Sequence, residues 1–186
     1  MTSTAELIRK LRSPENKRVL EAVEELRVRG WLTDGSLNNV PLCHVHMERA
    51  DLIGAKFHNV DFHQADLRWA DLSMADLSGT DLSRVELQGA NLSATNLEGA
   101  DMYKANLQGA HNLTDEQLAQ AKRLFGATMM DGNIYDGRYN LPGDLQFALW
   151  GKVDPRDAEA MANFLGVPLP IYLQGQRHST VSIRGA

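Results

Sequence analysis

The residues best equipped for chemistry lie in the middle of the chain. Cys43, His44, His46 and His63 offer the nitrogen and sulfur atoms that zinc takes. Asp61, Asp81 and Asp101 are carboxylates spaced every twenty residues, and serines stand at 73, 78, 83 and 93. A metal site needs its ligands to converge. Cys43 and His63 are in register twenty residues apart, with His44 adjacent and His46 in register with Asp66, but no fourth ligand is evident. Nucleophilic catalysis needs a base within reach of the hydroxyl, or paired carboxylates in a pocket. The serines belong to a surface motif, with no histidine expected in register with them, and no glycine loop is suited to phosphate. The expectation is therefore no catalytic residue, no cofactor and no metal, with a metal-binding module as a subordinate reading. What remains is a candidate interaction face made of Asp61, Asp81, Asp101 and Trp69.

The elements that position these residues announce themselves as a repeat. From Ala50 the chain reads ADLIG AKFHN VDFHQ ADLRW ADLSM ADLSG TDLSR VELQG ANLSA TNLEG ADMYK ANLQG. The period of five fits neither a helix nor a flat strand. Position three is Leu, Phe or Met. Position one is Ala, Val or Thr, position two is mostly Asp or Asn, and Gly recurs at position five. The phase extends back through Met47, Leu42 and Leu37, giving 15 units up to Leu107, and breaks at Asn112.

These units resemble the pentapeptide-repeat family, whose pattern is A(D/N)LXX. The resemblance covers residues 36–110 and implies an all-β solenoid, a right-handed quadrilateral β-helix with one pentapeptide per side and four per coil. Positions one and three then point inward, while the other three face solvent. Four apolar core columns follow at a twenty-residue step: Leu52, Leu72, Leu92; Leu37, Phe57, Leu77, Leu97; Leu42, Phe62, Leu82, Met102; and Met47, Leu67, Leu87, Leu107. At a strand spacing of about 4.8 Å the rod is roughly 18 Å long.

Of the four outward columns at position two, only Asp61–Asp81–Asp101 is wholly acidic. Stacked carboxylates about 5 Å apart repel unless offset, and Arg84 and Lys104 on the same side are expected to do this. The column is either an acidic binding strip or a solvated face whose Asp side chains bond to the turn backbone. Trp69 is the only tryptophan of the repeats, at an outward position above Gly89 and Gly109. An exposed tryptophan over a glycine strip suggests contact with a partner or with the chain's own tail.

The ends of a solenoid need covers. Residues 1–35 are expected to form an N-terminal helical cap, with a short helix near 4–11 and an amphipathic one over 14–29. Ser13 is the expected N-cap, Pro14 the first helical residue and Gly30 the stop. Residues 111–130 are expected to hold a C-terminal capping helix, from a Thr114/Gln117 capping box to about Phe125, and a stray repeat at Ala127–Met129. Residues 131–186 are read as a helical tail with helices near 143–151 and 155–165, the latter opened by Asp154 and Pro155. Its apolar residues need burial, on a solenoid face or on a second protomer, the latter making a homodimer. Residues 176–186 are expected to be disordered.

Composition narrows the function. The 186 residues carry a net charge of −5, all of it within 36–110. A basic nucleic-acid footprint is absent, so direct nucleic-acid binding is not expected. One cysteine, no membrane-spanning stretch and no signal-like N-terminus suggest a cytoplasmic, bacterial protein. The leading reading is a non-enzymatic interaction or scaffold protein of unknown partner. Family resemblance raises an alternative, a DNA mimic acting on gyrase as quinolone-resistance members do. Duplex DNA carries about one charge per 1.7 Å, and this rod carries roughly half that density.

Overall fold

The computed structural model describes residues 3–178. Its centre is a four-sided coil stack. Each turn advances twenty residues, through parallel single-residue bridges such as Pro41 to Asp61, Asp61 to Asp81 and Asp81 to Asp101. The corners follow one recipe, except that Val45 N makes no bond to the Leu42 carbonyl. The position-one N–H donates to the position-three carbonyl three residues back, as Ala55 does to Leu52 at 3.0 Å. The position-five residue between them has positive φ. This is a type II turn, which favours glycine at that site.

The inward columns run buried from end to end, with Leu52, Phe57, Phe62 and Leu67 all at 0% exposure. Phe57 and Phe62 meet edge to face at 5.0 Å. Two position-one threonines are also buried. Thr80 Oγ1 donates to the Leu77 carbonyl at 2.6 Å, and Thr95 Oγ1 to that of Leu72 at 2.8 Å. Satisfied hydroxyls make Thr tolerable where Ala is usual.

At the N-terminal end, α1 (Thr4–Leu11) and α2 (Asn16–Val28) pack over the first coil. Leu7, Leu11, Val19 and Leu26 join the same buried cluster as Leu37, Leu42 and Met47. The first coil has carbonyls with no preceding coil to bond them. Three side chains supply donors: Arg12 to Pro41 O, Asn16 to Glu48 O, and Arg27 to Asp51 O. The start of α2 differs from expectation. Its N-cap is Glu15, without a side-chain bond, because the Ser13 hydroxyl accepts from Glu15 N in a separate turn at 3.2 Å.

At the C-terminal end the Thr114/Gln117 capping box forms, but α3 is only Asp115–Leu118. The chain then rejoins the coil instead of staying helical to Phe125. Met102 N donates to Arg123 O at 2.9 Å and Lys104 N to Phe125 O at 3.0 Å. The bridges Asp101 to Arg123 and Asn106 to Thr128 step by 22 rather than 20. A two-residue insertion thus shifts the phase, and the repeat resumes at Leu124 and Met129. Burial of Leu118 and Leu124 outweighs local helix preference. Where α3 interrupts the ladder, Gln117 Nε2 donates to the carbonyls of Leu92 (3.0 Å) and Thr95 (2.8 Å).

The tail comprises α4 (Pro142–Trp150), α5 (Ala158–Leu165) and α6 (Leu169–His178). Asp157, not Asp154, caps α5, and α6 has no counterpart in the sequence reading. Residues 176–178, expected to be disordered, are helical; 179–186 lie outside the described residues. In the single chain the tail sits on the end of its own solenoid. Phe147 and Phe164 of the tail pack on Phe125 at 5.0 and 4.7 Å, with Tyr103 beside them. Asp144 accepts the N–H groups of Leu124 (3.1 Å) and Phe125 (2.8 Å). The last coil lacks acceptors where the first lacks donors, and Asp144 supplies one.

Candidate interaction face

The position-two column runs Pro41, Asp61, Asp81, Asp101, Arg123. Its carboxylates are tied locally. Asp61 Oδ1 accepts from His63 N at 2.9 Å, Asp81 Oδ1 from Ser83 N at 2.8 Å, and Asp101 Oδ1 from Tyr103 N at 3.2 Å. Arg123 forks onto Asp101 through Nε (2.9 Å) and Nη2 (2.7 Å), and Lys122 approaches the same carboxylate at 3.5 Å. The expected offsets are elsewhere. Lys104 lies over the Tyr103 ring at 5.3 Å, and Arg84 makes no ion pair among the described residues. Sequence register missed Arg123 because it depends on the two-residue slip.

The same tie recurs at Asp71 and Asp76. Burial pushes both carboxyls up, but bonds from Ser73 and Asn91, and from Ser78 and Asn96, hold them below the usual range. Two of the serines, Ser78 and Ser83, also have histidine neighbours, contrary to the sequence reading, because position four stacks every twenty residues. His58 Nδ1 lies 2.8 Å from Ser78 Oγ, and His63 Nδ1 lies 2.7 Å from Ser83 Oγ. Each hydroxyl donates onward to its own aspartate. The order is therefore histidine to serine to aspartate. A serine whose proton is committed to a carboxylate is not set up as a nucleophile activated by histidine.

His44 and His63 meet edge to face at 6.0 Å. Among the described residues no group of three or more His, Cys, Asp or Glu could hold a metal ion.

Trp69 is 59% exposed at a corner with φ 61°. Its ring lies against Gly89, where an added Cβ would come within 2.2 Å of Cε3. The described tail does not cover it. The next corner in the same coil carries Met74, 65% exposed with φ 58°, and Ile53 is 39% exposed one coil earlier. The side between these corners has two charged residues, and both are engaged. Asp51 pairs with Arg27 at 2.6 Å, and Asp71 accepts from Ser73 and Asn91. Sequence columns placed Trp69 over Gly89; Met74 and Ile53 become its companions only once the corners are known.

A family model for pentapeptide repeats matches residues 36–73 and 75–111, in eight copies. Residues 36–73 and 75–111 are thus pentapeptide repeats, and the stack they form is the right-handed quadrilateral β-helix of such repeats. A pentapeptide repeat protein from the Arabidopsis thaliana thylakoid lumen is 25% identical, covering 69% of this chain and 86% of its own, with a TM-score of 0.42. Rfr23 from the cyanobacterium Cyanothece 51142 is 39% identical over 36% of this chain and 48% of its own, at a TM-score of 0.25. HetL from Nostoc sp. strain PCC 7120, involved in heterocyst differentiation regulation, is 38% identical over 53% and 42%, at 0.26. The chain thus spans less than half the length of either cyanobacterial protein, and the likeness lies in the repeat rather than in whole-chain superposition. No curated protein matches this chain. Among the described residues no helix is long and apolar enough to cross a membrane.

Proposed function

We propose that this chain is a non-enzymatic scaffold that binds another protein through one side of its solenoid, the side framed by Trp69 and Met74. In this reading α1–α2 and the tail serve as caps that keep the rod closed and single. The observation that supports it is the placement of large apolar side chains at positive-φ corners. A non-glycine residue there costs roughly 1–2 kcal/mol. In the same two columns glycine takes the corners at Gly54, Gly89 and Gly109, and Arg49 and Ala94 take the others. Trp69 and Met74 accept that cost and are left in solvent, where they add nothing to the core. Tryptophan is the residue most enriched among interface anchors.

The acidic column is the weaker candidate. A mimic of duplex DNA needs a dense line of available charge, whereas Asp101 is neutralised by Arg123 and its neighbours are bonded to their own turns.

Site-specific photocrosslinking tests the reading. A benzophenone side chain is introduced at position 69, and separately at 81, in cells of the native host. A discrete protein adduct from position 69 and none from 81 is the expected result. Adducts from 81 alone would transfer the binding role to the acidic column.

A further inference from the structure

The corner column that carries Trp69 reads, coil by coil, Arg49, Trp69, Gly89, Gly109, Asp131. One bond per coil sets this order. Arg49 N donates to Arg68 O, Trp69 N to Gln88 O, Gly89 N to Gln108 O and, after the two-residue slip, Gly109 N to Met130 O. The two ends of the column have opposite charge. The Arg49 side chain is 74% exposed, and its ion pair is a loose contact of 3.7 Å with the adjacent Glu48. Asp131 is exposed and makes no ion pair among the described residues; its carboxylate accepts from Asn133 N and Nδ2, both at 2.9 Å. Between these ends lie a knob and a hole. The Trp69 indole stands in solvent and leans on Gly89. At Gly109 an added Cβ would meet nothing closer than Gly89 N at 3.9 Å, so that corner is a bare step. The neighbouring position-two column runs Asp71, Asn91, His111, and His111 is exposed.

Read backwards about the coil of Gly89 and Asn91, both columns become their own complement. Arg49 exchanges with Asp131, Trp69 with Gly109 and Asp71 with His111, while Gly89 and Asn91 map onto themselves. An isologous two-fold contact requires this self-complementarity. We propose that the occupant of the Trp69 side is a second copy of this chain, lying antiparallel, with the two-fold axis at the level of Gly89. The proposal rests on the Trp69 side being the docking side and names its partner. Each indole lies on the bare Gly109 corner of the other copy. Two Arg49–Asp131 pairs and two Asp71–His111 contacts fix the register. At a coil spacing of about 4.8 Å, Trp69 and Gly109 stand about 10 Å apart along the rod, equally in both copies, so these contacts close together. Rods laid parallel would leave Arg49 and Asp131 without counter-charges. The contact is side by side, so the capped ends are untouched. One face of a narrow rod lies at the small end of interface areas, which makes the pair weak and concentration-dependent.

Sedimentation equilibrium of the full-length chain, from micromolar to submillimolar concentration, is expected to show monomers and dimers in exchange. Arg49→Asp and Asp131→Arg each weaken the dimer roughly ten-fold when alone. Mixed in equal amounts they restore it to within about three-fold of wild type, because both charge pairs form in the mixed dimer and neither forms in either homodimer. In a Cys43→Ser background a short bis-maleimide joins two Ser93→Cys chains, which face each other at the axis. It does not join two Ser73→Cys chains, which the antiparallel arrangement holds two coils apart. A wild-type chain that stays monomeric, a mixture no stronger than its components, or joining through position 73 would overturn the pairing. The docking side beneath it fails separately. A photoadduct from position 69 with a mass other than two chains keeps that side and removes the second copy, whereas no adduct from position 69 removes both.

Discussion

Trp69 and Gly89 form a coupled pair. The indole lies where a Gly89 side chain would stand, and Gly89 itself has φ 67°. Gly89→Ala is therefore expected to cost about 1–2 kcal/mol from backbone strain, plus whatever displacing the indole adds. In a Trp69→Ala background only the first cost remains. Urea unfolding of the two single variants and the double variant measures the difference as a coupling energy. Additive effects would mean that the ring does not rest on Gly89. This pair was legible from register alone, since residues twenty apart stack. The histidine–serine–aspartate chains lie in the same register but were missed in it, and their order, the reverse of a catalytic triad, shows only in the direction of each hydrogen bond.

Among the elements, the tail adds one buried carboxylate to its aromatic packing on the coil. Asp144 is 3% exposed. Burial pushes its carboxyl up to about 7, against the pull of the Phe125 and Leu124 N–H groups and of Arg123; Asp101 nearby adds to the upward push. The folded chain therefore binds this proton more tightly than the unfolded chain does. Between about pH 4 and pH 7 the native state holds a proton that the unfolded state has lost, so stability falls as pH rises, by up to about 1.4 kcal/mol per unit, and levels off above pH 7. Asp144→Asn is expected to remove this slope while keeping an acceptor for the coil. Denaturant midpoints at pH 5, 6, 7 and 8 for both proteins check it; parallel curves would sink it.

The elements were unequally readable. Each pentapeptide imposes the same requirements of a large inward residue, a small inward residue and a corner, so their repetition identifies the coil. The tail offers no such redundancy. α6 contains Gly175, a poor helix residue, and it forms because Tyr172 is buried against α5 and because Gly175 lets the helix lie on the Asp136 carboxylate. Likewise α3 ends early because the two-residue slip returns Leu124 to the core. The partner of Asp101 was hidden by that slip.

Over the whole molecule, the ends and sides divide the work. Unmet carbonyls at the first coil find Arg12, Asn16 and Arg27, and unmet N–H groups at the last find Asp144, so neither end is left as a template for another rod. The other three sides carry charge of both signs, part of it paired, as Arg68 with Asp66 and Arg123 with Asp101. The side between Trp69 and Met74 carries exposed apolar surface with only engaged carboxylates, and the account rests on it as the docking side. An affinity pull-down from native host lysate, read by mass spectrometry, tests this most directly. Wild type is compared with Trp69→Ala and with the triple variant Asp61→Lys, Asp81→Lys, Asp101→Lys, after circular dichroism has shown that all three fold. The account predicts a protein captured by wild type and by the triple variant but lost with Trp69→Ala. Capture that survives Trp69→Ala and disappears in the triple variant would contradict it and make the acidic column the binding face.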